Sequence, residues 1–114
     1  MKGRELKLKV GESTAVRIFY RYPDLEEASA CLAAQEAGTA ERTLLAYLEL
    51  GRACVAGIGQ GDLVVDGTVL DTDPNSRGYK EDWREILAEK FPLILIALGQ
   101  YLLAVPAFVE EGVN

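Results

Sequence analysis

The chain has 114 residues, enough for one domain with its own core, and 49% of them are apolar, too many for a globally disordered polymer. Its formal charge of -6 argues against a nucleic-acid binder, which needs a basic stripe to displace counterions. Histidine is absent, which removes the commonest general base and the commonest transition-metal ligand together; with no catalytic set signposted either, no cofactor or metal is expected and the chain reads as a non-enzyme.

The opening, MKGRELKLKV, interleaves charges with apolar residues and offers no continuous apolar stretch for a signal peptide, so a cytoplasmic protein is expected. Leu6, Leu8 and Val10 alternate with Lys7 and Lys9, as in a half-buried strand. Gly11-Glu12-Ser13 reads as a turn, and Val16, Ile18, Tyr20 and Tyr22 then alternate with Arg17, Phe19 and Arg21. Together they predict an N-terminal β-hairpin, which needs helices to rest on because two strands alone are marginally stable.

Pro23 ends the second strand. Asp24 with Glu27 three residues on predicts a capping-box start for a helix over residues 25–37, alanine-rich and closed by Gly38. Thr39 caps a second helix over 40–56, with Leu44, Leu48, Gly51 and Val55 at core-face spacing and Gly51 placed to let another helix come close. Cys31 and Cys54 are too few for a disulfide scaffold, lie in this helical sequence, and read as buried free thiols.

Gly57-Ile58-Gly59-Gln60-Gly61 reads as a connector. Leu63-Val64-Val65 and Val69-Leu70 flank Asp66-Gly67-Thr68, a strong signal for a small second hairpin. A polar loop over 71–78 leads to Asp82, read as the cap of a helix with Trp83, Ile86, Leu87 and Phe91 on its apolar stripe.

The segment Phe91 to Val109 carries no charge and reaches the length of about 18 residues at which a membrane span must be weighed. Pro92 and Pro106 bracket it, leaving roughly 20 Å of regular helix over 93–105 against a hydrocarbon core of about 30 Å. Gln100 lies mid-segment and the flanks are Glu89-Lys90 and Glu110-Glu111, so a buried helix is expected and no membrane partner. It is apolar on every side, and a small chain has limited interior for such a helix. One face should therefore pack inward while another meets a second chain, with Trp83, Leu95, Leu98, Tyr101 and Leu102 the expected protein-contact residues.

The remaining motifs each carry a plainer reading. The glycines at 57, 59 and 61 match neither GxGxxG nor GxxxxGK[ST], and Asp62 stands where a phosphate loop would want lysine, so a hinge or tight turn is expected. Asp71, Asp73, Asn75 and Asp82 fall at positions 1, 3, 5 and 12 of a calcium-type loop, but Ser76 replaces the required glycine; turn chemistry is the stronger reading. The carboxylate pairs Glu26-Glu27, Glu81-Asp82 and Glu110-Glu111 read as solvated surface, and Ser13, Ser29 and Ser76 have no nucleophile-elbow context. Tyr20, Tyr22, Trp83 and Tyr101 suit either core or contact positions.

Over roughly residues 16 to 100 the chain resembles small proteins encoded by tailed phages and prophages, some of them tail assembly chaperones. The resemblance rests on Phe19-Tyr20-Arg21-Tyr22-Pro23 with Glu26-Glu27, then Gly61-Asp62, Asp66-Gly67, Asp73-Pro74 and Tyr79-Lys80-Glu81-Asp82-Trp83. It implies a non-enzymatic partner of hydrophobic tail-protein segments, such as those of the tape-measure protein, which also recruits tail-tube subunits. A structural virion part, in the tail or at the head–tail junction, is the alternative. The expectation is one α+β domain over 1–114, mostly helical: an N-terminal hairpin on three or four helices with a small second hairpin. It should act as a homo-oligomer in the cytoplasm of a bacterial host, binding protein and not nucleic acid.

Overall fold

The computed structural model describes residues 4–10, 14–36 and 38–104. The turn expected at Gly11-Glu12-Ser13, the first helix's end at Ala37 and everything from Val105 onward lie outside them. The chain is α+β, as expected, with four helices, one three-stranded sheet and one small hairpin among the described residues.

Strands β1 (Arg4–Val10) and β2 (Thr14–Tyr20) pair antiparallel with Leu6 opposite Ile18 and Leu8 opposite Val16. That register gathers the apolar alternates of both strands on one face, where Val16 and Ile18 are fully buried. Helix α1 (Leu25–Gln35) starts at the predicted capping box: the Glu27 amide donates to the Asp24 side chain and the Asp24 amide to Glu27. Helix α2 (Ala40–Cys54) starts with the Arg42 amide donating to Thr39 Oγ1.

Helix α2 is shorter than expected. Val55 turns extended, and Val55–Ile58 becomes β3, which pairs antiparallel with β2 across a bulge at Phe19/Tyr20. The open edge of β2 decides this: its backbone groups need partners, and a β-branched Val55 followed by Gly57 can supply them. The outer edge of β3 is met by Thr72, whose hydroxyl accepts from the Ile58 amide at 3.0 Å.

The small hairpin, β4 (Val64–Val65) and β5 (Thr68–Val69), turns at Asp66 and Gly67 with φ of 50° and 82°, both left-handed, as an Asp-Gly turn requires. Helix α3 (Trp83–Lys90) lacks the expected Asp82 side-chain cap. With φ -93° and ψ 23°, Asp82 is not in the extended conformation that carries a capping oxygen back to the first turn. Pro92 restarts the helix as α4 (Pro92–Ala104), bent 98° from α3. No helix among the described residues is long and apolar enough to cross a membrane; α3 and α4 reach that length and apolarity only as this bent pair.

α4 is the centre of the core. It runs antiparallel to α2, and each helix meets the other through a glycine. A Cβ on Gly51 would lie 2.8 Å from the Leu95 carbonyl carbon, and one on Gly99 would lie 2.8 Å from that of Tyr47. The backbones therefore touch with no side chain between them, the close approach anticipated at Gly51 and reciprocated from α4. On its other side α4 reaches the sheet, where the Tyr20 and Tyr101 rings meet edge-on at 5.7 Å and their hydroxyls at 3.3 Å.

Candidate protein-binding groove

Most of the residues expected to form a contact surface are packed among the described residues of the chain itself. Trp83, Leu95, Leu98 and Leu102 are 4%, 0%, 0% and 2% exposed and belong to the core of a single chain. Tyr101 is half-buried with its hydroxyl against Tyr20. The reason is enclosure: α2 covers one side of α4 through the paired glycines, and the sheet covers another. Of the large apolar residues at its start, only Leu93 stands well out of the core.

The glycine connector and the acidic loop also do structural work. Gly59 makes room for Arg17, whose guanidinium forks onto Asp62 at 3.0 and 3.2 Å, holding that carboxyl below its usual range. Asp71, counted as the first ligand of a calcium-type loop, is buried and accepts from its own loop: the Asp73 amide at 3.0 Å and the Ser76 hydroxyl. These bonds, the Ser76 hydroxyl first, draw its carboxyl below the ordinary value. Among the described residues, no group of three or more Cys, Asp or Glu side chains is placed to hold a metal ion.

The unfilled apolar surface lies instead between α1 and α2. Helix α1 buries one side chain, Cys31, which fits because its neighbours are small: Cys31 Sγ contacts the Ala46 carbonyl at 3.4 Å. Ala30 and Ala34 on α1 are too short to cover what α2 presents. The result is an open groove of about 670 Å³. Cys31, Ala46 and Leu50 form its floor, Ala30 and Ala34 one wall, and Leu45 and Ala53 the other. Leu45 is 50% exposed. Glu27, Glu41, Arg42 and Glu49 line its margins. The thiols serve as apolar filling: burial pushes Cys54 up to about 11 and raises Cys31 as well.

A clamp holds the groove's two walls together at one end. Arg21 forks onto Glu27 at 2.8 and 2.7 Å and also donates to the Ala53 carbonyl at 3.1 Å, tying the start of α1 to the end of α2. The fork, and after it the Asp24 amide, draws the Glu27 carboxyl from 4.5 to about 2. The folded state thus favours the charged form. The clamp's contribution is complete above about pH 4.5 and is lost as pH falls towards 2. Arg21 is half in solvent, so about 0.5–1 kcal/mol is expected, read as acid loosening of α1 amides by NMR that Glu27→Gln abolishes.

Comparison with known protein families, with curated proteins and with solved structures finds no match to this chain. The groove therefore stands on its own geometry. Its sequence signal was the composition of α1: alanine occupies the positions that would fill the space beside α2, while Leu25 and Leu32, seven residues apart, lie at 84% and 54% exposure.

Proposed function

We propose that this chain is a non-enzymatic protein-binding module whose α1/α2 groove receives an apolar helical segment of a partner. The carrying observation is that groove: apolar floor and walls, an open side, and a leucine left half in solvent on a chain with a complete core elsewhere. An amphipathic helix laid along two helices buries its apolar stripe in the same way that helix-in-groove recognition does generally. Alanine walls admit the backbone of such a helix closely, and a net charge of -6 keeps the unoccupied chain from aggregating through the groove.

The resemblance to phage tail proteins gives this activity a setting: a chaperone in tail assembly, with segments of a tape-measure protein or tail-tube subunits as clients. The test compares tagged wild type with Leu45→Asp in the cell that makes the chain. Wild type should co-purify tape-measure or tail-tube protein, and Leu45→Asp, folded because this position is half-exposed, should lose at least about tenfold of it. Equal recovery by both would remove the groove from the interaction. Presence of the chain in purified particles would favour a structural virion part over a chaperone.

A further inference from the structure

β1 lies at the margin of the sheet. It pairs with β2 along one edge, and no strand among the described residues pairs along the other. Such an edge presents backbone donors and acceptors in a row, a template for a further strand. Leu6 and Leu8 lie on the core face of β1 but are only half-buried, because the sheet stops beside them. On the opposite face stand Glu5, Lys7 and Lys9, all exposed and none in an ion pair among the described residues. Lysines on an edge strand normally repel a second strand. Glu5 alters that here, because it stands as far before Lys7 as Lys9 stands after it.

Consider a two-fold axis normal to the sheet and just outside β1. It sets β1 antiparallel beside β1 of a second copy, in the same plane and with the core faces on the same side. Residues opposite each other in an antiparallel pair point to the same face, so only registers that step by two residues keep leucine beside leucine. One of these pairs all of Arg4–Val10, with Lys7 opposite its own counterpart. In that register Glu5 of each copy stands opposite Lys9 of the other, and Leu6 opposite Leu8. Edge, charges and half-buried leucines are thus complementary to themselves.

We infer that two copies of this chain associate through their β1 edges, with Lys7 at the two-fold axis, into one continuous antiparallel sheet. The contact uses no residue of the α1/α2 groove, so the dimer presents both grooves and does not depend on what they bind. It is reversible, because the two Lys7 side chains face each other and two copies that each carry a charge of -6 repel at long range.

Charge reversal tests the contact, measured by sedimentation equilibrium at about 50 µM protein, a level at which contacts of micromolar affinity are populated. Wild type should be a dimer. Glu5→Lys and Lys9→Glu each act twice by symmetry and should weaken the dimer at least about tenfold, while the double exchange should restore it to within about threefold. Within the hairpin these positions lie opposite Phe19 and Ala15, which carry no charge, so neither change sets like charges opposite inside one chain. Mild oxidation reads the register. Lys7→Cys should cross-link two copies, since α-carbons of opposite residues lie about 5 Å apart. Lys9→Cys should not, because its two α-carbons are displaced by about 13 Å along the strands, beyond a disulfide's reach of about 7 Å. Cys31 and Cys54 are buried and do not compete. A monomeric wild type, single reversals as dimeric as wild type, or cross-linking by Lys9→Cys in place of Lys7→Cys overturns the inference.

Discussion

Gly51→Ala is expected to destabilise the chain by about 3 kcal/mol, a cost typical of overpacking in a tight core. Local propensity argues the other way: alanine is the better helix former by about 1 kcal/mol. The sign of the result therefore reads the tertiary contact directly. A Cβ at Gly51 would overlap the Leu95 carbonyl, a backbone group that cannot swing aside, so α2 and α4 would have to separate. Gly99→Ala should behave alike, since its Cβ meets the Tyr47 carbonyl. Once one substitution has pushed the helices apart, the other costs less, so the double variant should lose clearly less than the sum. Urea unfolding of the three variants measures this; a rise in midpoint for either single change would place the helices further apart than described.

Leu95→Asp is expected to leave no folded state. The lost burial of a full leucine is worth about 2–3 kcal/mol, and a carboxylate without a partner in the same space adds several more. Against the total of roughly 5–15 kcal/mol that stabilises a domain, this is decisive. Loss of dispersed amide resonances in an NMR spectrum is the readout. Leu45→Asp, the same chemistry on the neighbouring helix, should keep a native spectrum because Leu45 is 50% exposed while Leu95 is 0%. A folded Leu95→Asp would return α4 to the role of an outer contact face.

The groove was only half legible. Sequence spacing marked α1 as alanine-rich, which leaves the groove open, and Gly51 as a point of close helix approach, which serves the contact of α2 with α4 instead. It also pointed to Trp83, Leu95, Leu98, Tyr101 and Leu102 as the contact surface, and the first, second, third and fifth of these are core. That their burial was not legible has a definite source. A helix that is apolar on every side carries no periodicity, so its sequence holds no information about which face is covered. The surplus of apolar surface was real, but it resides at Leu25, Leu32, Leu44 and Leu45 on α1 and α2, with Leu93 at the start of α4.

Sequence alone determined the features whose causes lie within a few residues of one another: the Asp24–Glu27 capping box, the Thr39 cap, the left-handed turn at Asp66-Gly67, the restart at Pro92, and the alternation that sets the β1–β2 register. Each depends on backbone geometry or a single hydrogen bond that the local residues dictate. The tertiary structure decided the rest. Residues 55–58 are a strand because β2 had an open edge, Asp82 stands at the N-cap of α3 without a side-chain bond because its dihedrals are not extended, and α4 is core because two glycines let α2 close over it. Burial belongs to what is packed against a residue, and elements far apart in the chain supply that packing.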